Sequence, residues 1–353
     1  MIPKIQLTPE AIAAADPTGQ ISELTGLPEQ LRDALWRVES AAISTEDSPG
    51  GLVVAGVGGA SIGGLLARTV LGDRASRPIT ISRNYELPSW ATPDSTVLCL
   101  SYSGQTEEPL AVYAAAQALG ARTIVATTGG KLAEMARADG VPVIPIPGGF
   151  QSRAAVGYFI VIALEVAAIC GAAGESLRAE VDVAADRLAK LIEEWGPDAP
   201  EDSQAKALAR ALAGTIPTIS GADVTTQIAY RWKTEFNTNA KIPAFASELP
   251  ELDHNEIVGW EGAMALGPFS AVFLDDSDLH PRVRQRIELS RAHIATRGGT
   301  VFRVESVGNT RLERVLSLVL LGDLVSLYLA VLQGVDPCPV EAISSIKGAL
   351  AGG

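Results

Sequence analysis

The sequence predicts an α/β protein with two parallel β-sheets, each flanked by helices. Nearly half of its 353 residues are apolar (47%) but only 5% are aromatic, a composition that suits close packing of helices on sheets. Short apolar runs alternate with helical segments, which indicates parallel strands covered on both faces. A Gly- and Pro-rich linker at 196–203 separates two such alternations. We therefore expect two domains, at 1–195 and 196–353.

The elements of each domain follow from local patterns. A helix is expected at 27–44, where Leu31, Leu35 and Val38 repeat on one face. Further elements are predicted in the first domain as strands at 52–55, 78–82, 96–100, 123–126 and 141–146, with helices at 62–71, 107–119, 131–139 and 176–194. The second domain is predicted to have strands at 218–220, 271–274 and 300–304, helices at 226–239 and 281–296, and two closing helices. We expect this half to be a diverged structural repeat of the first.

Charge and targeting signals restrict the class of partner. The net charge of −13 and pI near 4.8 argue against nucleic acid or an anionic membrane surface as a partner. Two apolar segments, 154–173 and 315–332, carry Glu165 and Asp323 near their middles, so they are predicted to be buried core helices. The N-terminal stretch has no signal-peptide pattern.

The cysteines indicate a reducing compartment. Cys99, Cys170 and Cys338 lie far apart, and no pair has the spacing of zinc ligands. An odd number of separated cysteines is typical of the cytoplasm, where we expect the protein to be located. We expect no metal and no other cofactor.

A glycine-rich loop at 56–64 follows the first predicted strand. A dinucleotide fingerprint would need glycine at Ser61, and a P-loop would need Lys-Ser/Thr where Leu65 and Leu66 stand. Neither motif fits. Two interpretations remain open, a tight turn that needs glycine for its dihedral angles, and a loop whose backbone amides approach a ligand.

The stretch 101–108, Ser-Tyr-Ser-Gly-Gln-Thr-Glu-Glu, lies between a predicted buried strand and a predicted helix with Ser103 as its N-cap. The hydroxyls of Ser101, Ser103 and Thr106 are expected to converge there, where a helix N-terminus favours an anion. A plain capping box is the alternative, but three hydroxyls around a glycine turn favour a phosphate or phosphosugar cradle. Arg153, at the start of an apolar helix, would face the same anion.

Motifs in the second half resemble a known family. They are Tyr-Arg-Trp-Lys-Thr-Glu-Phe-Asn-Thr-Asn-Ala-Lys at 230–241, Ile-Pro-Ala-Phe at 242–245 and Glu-Leu-Pro-Glu-Leu-Asp-His-Asn-Glu-Ile at 248–257. Together with the glycine loop, the 101–108 stretch, 151–155 and the tail from 336 to Lys347, they resemble the bifunctional phosphoglucose/phosphomannose isomerases. That family has two sugar-isomerase (SIS) domains, each a flavodoxin-like three-layer sandwich, and the resemblance implies a homodimer with shared active sites and a hexose 6-phosphate ligand.

The resemblance also implies residue roles. Gly58 and Gly59 match the glycine-loop contacts, with Ser61 beside them, and Ser101, Ser103 and Thr106 match the phosphate cradle. Arg153 matches the arginine that steadies the intermediate. His254 matches the ring-opening histidine contributed across the dimer, and Lys347 matches the C-terminal active-site lysine. A structural histidine is the alternative for His254, and it is the interpretation we prefer for His280 and His293.

Three positions depart from the family pattern. Thr238 stands where the family has its base glutamate, and a threonine cannot act as a general base at neutral pH. Ala60 replaces a serine, and Leu65 replaces an acidic residue. Glu235 and Glu256 are the candidate replacement bases.

Two hypotheses follow. The first is an aldose–ketose isomerase that interconverts glucose 6-phosphate or mannose 6-phosphate with fructose 6-phosphate through an enediol. The second is a non-catalytic sugar-phosphate binding or regulatory protein that kept the cradle and lost the base.

Overall fold

Both sheets of the protein consist of parallel strands. The computed structural model describes residues 5–174 and 176–351. The strands are β1 (Leu52–Ala55), β2 (Ile79–Ser82), β3 (Thr96–Ser101), β4 (Arg122–Thr127), β5 (Val143–Pro145), β6 (Ile216–Gly221), β7 (Phe245–Glu248), β8 (Phe269–Asp275) and β9 (Thr300–Glu305). In the described residues the first sheet has the order β2-β1-β3-β4-β5, and the second has the order β7-β6-β8-β9.

Helices connect successive strands. They are α1 (Pro9–Ala15), α2 (Gln20–Thr25), α3 (Leu27–Ser40), α4 (Gly59–Leu71), α5 (Glu107–Leu119), α6 (Gly130–Ala138), α7 (Val156–Ile169), α8 (Arg178–Trp195), α9 (Gln204–Leu212), α10 (Thr226–Thr238), α11 (Glu256–Leu266), α12 (Pro281–Thr296), α13 (Arg311–Gln333) and α14 (Glu341–Ala351).

The predicted α/β class with two parallel sheets is confirmed. In both sheets the second strand lies outside the first, and the third strand lies on the first strand's other side. The second half is therefore a structural repeat of the first, as expected.

The sequence did not predict β7, α9 or α11. β7 is an edge strand of the second sheet, with Phe245 exposed, and its Phe-Ala-Ser-Glu sequence has no buried-strand pattern. α11 contains Gly259 and Gly262, which lower its helix propensity.

The chain divides into two compact units. The first unit contains residues 25–189 and 307–316, and the second contains residues 5–24, 190–306 and 317–351. The second unit is therefore built from both ends of the described chain, together with its middle.

Alternating side chains cover both faces of the first sheet. Val53 and Ala55 of β1 belong to the core cluster that includes Tyr113 of α5 and Leu132 of α6. Val54 points to the other face, where Gly64 of α4 comes so close that an added Cβ would lie 3.0 Å from it. The first unit is a helix–sheet–helix sandwich.

The two apolar segments singled out in the sequence are buried helices. Among the described helices, α13 is long and apolar enough to cross a membrane, but its most apolar window is completely buried within the protein. The shorter α7 is also buried over most of its length. Both are core helices.

A buried charge network lies in the second unit. The Arg231 guanidinium donates to both Asp323 carboxylate oxygens, at 2.9 and 2.6 Å, and lies 3.4 Å from the Glu235 carboxylate. Asn239 donates to Glu235 and accepts a hydrogen bond from Gln20. Burial raises the pKa of Asp323 to about 7, despite the attraction of Arg231. One arginine thus compensates two buried carboxyl groups, so its removal leaves both without a cation.

We predict that Arg231→Met lowers the free energy of unfolding by about 3–5 kcal/mol, because breaking a buried ion pair leaves uncompensated charge. Urea denaturation measures the change. Arg291→Met is the control, since the Arg291–Glu288 pair on α12 lies at the surface and should contribute about 0–1 kcal/mol. Equal losses in the two variants would contradict the prediction.

Candidate active site

The reversal of strand order places two loops side by side. From β1 the chain moves outward to β2, and it then returns to β3 on β1's other side. Ligands bind in open parallel sheets at such a switch point, beyond the carboxyl ends of the strands. The loops that follow β1 and β3 are the glycine loop and the stretch that starts at Ser101.

Two of the three predicted cradle hydroxyls meet. Ser101, buried at the end of β3, donates to the Thr106 hydroxyl at 3.3 Å and accepts from the Gly104 amide at 3.1 Å. Ser103 is exposed and accepts from the Gln105 amide at 3.2 Å. The 101–106 segment, which we call the hydroxyl loop, is thus folded around its own side chains.

Ser103 is not the N-cap of α5, so that prediction is wrong. The residue that precedes the helix is Thr106, in an extended conformation, and its side chain makes no capping hydrogen bond. Gly104, at φ 64°, adds a turn between Ser103 and the helix. The Ser103 hydroxyl therefore accepts from the Gln105 amide in that turn and does not cap α5.

The hydroxyl loop packs against the loop after β4 and is hydrogen-bonded to α6. An added Cβ at Gly104 would lie 1.9 Å from the Gly129 carbonyl oxygen. The Gly104 carbonyl accepts from the Leu132 amide at 2.9 Å. Thr127 donates to the Gly129 carbonyl at 3.0 Å. The Thr-Thr-Gly-Gly sequence at 127–130, which starts with the last residue of β4, was the signal in the sequence for this support.

The glycine loop contacts the turn that carries Arg153. An added Cβ at Gly59 would lie 2.8 Å from the Ser152 carbonyl oxygen and 3.3 Å from the Arg153 Cα. Gly58 is exposed at φ 61°. Arg153 is half-buried and donates to the Gln151 side chain at 3.4 Å. Glycine at 59 therefore permits a close approach of the two backbones.

Ser61 bonds within its own loop. Its buried hydroxyl donates to the Gly58 carbonyl oxygen at 2.9 Å. This bond stabilises the first turn of α4, and contact of Ser61 with a ligand stays a prediction.

The candidates for proton transfer lie in the second unit. His254 is exposed at the end of the short turn Glu251–His254, and Asn255 caps α11 by accepting from the Glu256 amide. Glu256 is exposed and accepts a hydrogen bond from the Ser247 hydroxyl. It lines a cavity of about 200 Å³ beneath α11, beside Trp260. Lys347 is exposed on α14.

The end of α10 provides no carboxylate that reaches solvent. Thr238 donates to the Thr234 carbonyl at 2.8 Å. Glu235 is only 2% exposed and is engaged by Arg231 and Asn239. A general base must reach substrate, so burial of Glu235 makes Glu256 the better candidate for the replacement base. Glu235 lies three positions before Thr238 on α10, but its side chain is buried in the core.

The candidates are thus distributed over both units. The hydroxyl loop, the glycine loop and Arg153 lie in the first unit. Thr238, His254, Glu256 and Lys347 lie in the second.

A family model and a solved structure match this chain. Residues 201–350 match the family model described as the bacterial phospho-glucose isomerase C-terminal SIS domain. A solved hypothetical protein from Thermus thermophilus superimposes with a TM-score of 0.75 at 16% identity, covering 97% of this chain and 92% of that one. Residues 201–350 therefore match a sugar-isomerase (SIS) domain, and the whole chain shares its fold with this solved protein.

Named relatives that match most of the chain define its family more closely. The bifunctional phosphoglucose/phosphomannose isomerase of Caldicellulosiruptor bescii is 40% identical, over 92% of this chain and 97% of its own length. The protein of the same name from Aquifex aeolicus is 33% identical, over 84% of this chain and 89% of its own length. The chain belongs to the bifunctional phosphoglucose/phosphomannose isomerase family.

We predict that Gly104→Ala disrupts the hydroxyl loop, because the new methyl group meets the Gly129 carbonyl. Gly120→Ala is the matched control, since Gly120 also has a positive φ, 76°, but nothing within 4 Å of an added Cβ. The control should lose only the backbone strain of about 1–2 kcal/mol. Urea denaturation and amide exchange across 101–106 test this. Equal stability and equal exchange in the two variants would contradict it.

Proposed function

We propose that this chain is an aldose–ketose isomerase of hexose 6-phosphates, which interconverts glucose 6-phosphate or mannose 6-phosphate with fructose 6-phosphate through an enediol. The observation that carries the proposal is the 40% identity to a named isomerase over nearly the whole chain. The hydroxyl loop at the strand switch point supports it further.

The phosphate group is assigned to the hydroxyl loop. Ser101 and Thr106 present adjacent hydroxyls, and Ser103 lies exposed beside them. The N-terminus of α5 adds unpaired first-turn amides and the positive end of a helix dipole. These local donors must overcome the field of a chain with net charge −13, and a helix N-terminus is suited to this.

Arg153 is assigned to the developing oxyanion. A fixed cation beside the C1 and C2 oxygens lowers the energy of the enediolate relative to the bound sugar, which accelerates proton transfer. Its place next to Gly59 supports this role, because the glycine loop and the arginine then border the same crevice. Lys347, exposed on α14, stays our candidate for the C-terminal active-site lysine that the family resemblance implies.

Glu256 is our candidate for the base, with His254 as the group that opens the sugar ring. A base needs an accessible carboxylate, which Glu256 has and Glu235 lacks. The Ser247 hydroxyl donates to Glu256 and fixes its orientation. His254 is exposed two residues away and presents an imidazole for the proton transfer that opens the ring.

One observation favours the alternative of a binding protein without turnover. Thr238, at the usual position of the base, donates its hydroxyl to the Thr234 carbonyl, and a threonine hydroxyl cannot act as a general base at neutral pH. In that case the hydroxyl loop would bind hexose 6-phosphates for regulation.

A second copy of the chain is the proposed partner. Apart from Glu256 and Glu261, the residues of α11 are apolar or glycine. Val258 and Leu266 on this helix are 62% and 84% exposed. An apolar helix surface of this kind is typical of subunit interfaces. A homodimer formed through α11 would carry His254 into the partner's site.

The proposed location is the cytoplasm. Cys99, Cys170 and Cys338 are free thiols, and free thiols persist where the compartment is reducing.

Solvent deuterium incorporation at C2 of glucose 6-phosphate and mannose 6-phosphate, and at C1 of fructose 6-phosphate, tests the activity. We expect exchange by the natural protein, and a loss on the order of 10²–10⁴-fold in Glu256→Gln because the general base is removed. Glu261→Gln on the same helix is the control, and its exchange should be unchanged.

Absence of exchange by the natural protein would overturn the isomerase. Exchange that then appears in Thr238→Glu would identify a binding protein whose cradle is intact and whose base was lost. Full exchange in Glu256→Gln would instead retain the isomerase and reject Glu256 as its base.

Sedimentation velocity tests the homodimer. We expect the natural protein to be a dimer and Leu266→Glu to shift toward monomer, because the new charge is desolvated at the interface. Leu289→Glu is the control, since Leu289 is also exposed, at 64%, but on α12. A monomeric natural protein, or a Leu266→Glu variant as dimeric as the control, would contradict the α11 interface.

A further inference from the structure

The side chain of Tyr102 joins two loops of the first unit. This residue lies between Ser101 and Ser103 in the hydroxyl loop. Its phenolic oxygen accepts from the Phe150 amide at 2.7 Å and donates to the Pro147 carbonyl oxygen at 3.2 Å. A single hydroxyl thus bonds the backbone of the segment after β5 at two points.

The backbone of Tyr102 is held equally firmly. Its carbonyl oxygen accepts from the Thr128 amide at 3.0 Å and from the Thr128 hydroxyl at 2.8 Å. The Thr127 hydroxyl is also directed at this oxygen, at 3.4 Å. The tyrosine is therefore anchored to the loop after β4, and its position follows that of the hydroxyl loop.

The segment that Tyr102 holds has open space around its two glycines. It runs Pro147-Gly-Gly-Phe150, and an added Cβ at Gly148 or Gly149 would have no atom within 4 Å. Two successive glycines give the chain wide conformational freedom. The Phe150 ring packs edge-on against Tyr158, with 5.9 Å between ring centroids. The two hydrogen bonds to Tyr102 fix the backbone on either side of the glycines.

Arg153 follows three residues after Phe150. The intervening Gln151 accepts from the Ala154 amide at 2.8 Å and, through its side chain, from Arg153. A turn this short transmits a displacement of Phe150 directly to the arginine. The path from the hydroxyl loop to Arg153 therefore runs through Tyr102, Phe150 and Gln151.

We propose that Tyr102 is a positioning residue that sets Arg153 relative to the phosphate of the bound sugar. The inference rests on the proposed function, in which the hydroxyl loop binds phosphate and Arg153 stabilises the oxyanion. The Tyr102 hydroxyl bonds the backbone at Phe150 and Pro147, so the role we assign to it is exerted through Arg153 and not by contact with the sugar. Loss of its hydroxyl leaves the cradle hydroxyls in place and releases the segment before the arginine.

The test compares Tyr102→Phe with Tyr85→Phe. Tyr85 is an exposed tyrosine of the same unit whose hydroxyl donates to the Glu107 carboxylate at 3.0 Å. In Tyr102→Phe we expect kcat for fructose 6-phosphate to fall at least about tenfold, since small misplacements of a catalytic group have large effects. KM should stay within about twofold, because the interaction lost is one made in the transition state. Tyr85→Phe should change neither constant.

Amide exchange at Phe150 provides a readout that does not depend on turnover. The Phe150 amide should exchange at least about tenfold faster in Tyr102→Phe, since its hydrogen-bond acceptor is gone. Inorganic phosphate, used as the probe, should slow this exchange in the natural protein and in Tyr85→Phe, but not in Tyr102→Phe.

The kinetic and the amide-exchange measurements together distinguish failure of the isomerase proposal from failure of the Tyr102 proposal. A natural protein without turnover in which phosphate still protects Phe150 through Tyr102 would overturn the isomerase and support the coupling. Phosphate that leaves Phe150 exchange unchanged in the natural protein would overturn the coupling. A Tyr102→Phe variant with unchanged kcat in an active enzyme, or with KM raised in proportion to the loss of kcat/KM, would overturn it as well.

Discussion

Parallel pairing of β1 with β3 is the constraint on which the candidate site depends. Ala55 pairs with Cys99 near the ends of these strands, so the loops that leave them emerge together. Because β2 lies on the opposite side of β1, the helices after the two strands cover opposite faces of the sheet. A crevice then remains between them. The glycine loop and the hydroxyl loop owe their proximity to this reversal and not to any contact of their own side chains.

Close backbone approaches complete the arrangement in the first unit. Gly59 lets the turn at Arg153 lie against the start of α4, and Gly104 lets the hydroxyl loop rest on the loop after β4. Each approach excludes a side chain, so glycine is required by contact and, at Gly104, also by dihedral angle. In the second unit, burial determines which glutamate can reach a ligand. Glu235 is committed to Arg231 in the core, and Glu256 keeps its carboxylate at the surface.

Much of the fold was predictable because its strands are buried on both faces. β1 and β3 read as continuous apolar runs, and α5 and α12 have the predicted bounds. β7 was missed because an edge strand does not need an apolar pattern. The position of Ser101 and Ser103 at the end of a strand was predictable from the apolar run before them, and their contact with phosphate stays a prediction. The role of Ser103 in its turn was not predictable, since the φ of Gly104 decides where α5 begins. Tyr102 gave no signal, because an aromatic residue in a polar loop does not reveal what its hydroxyl contacts.

The composition of the second unit from both ends of the chain has a consequence for biosynthesis. Domains generally fold as units while the chain leaves the ribosome, with the N-terminal parts first. The first unit receives most of its residues early, whereas residues 5–24 belong with a sheet whose last strand, β9, ends at Glu305. Gln20, the residue that bonds Asn239 in the charge network, is therefore synthesised before its partner and before every strand of its own unit's sheet. The buried pair of Arg231 with Asp323 likewise can form only after translation has passed Asp323.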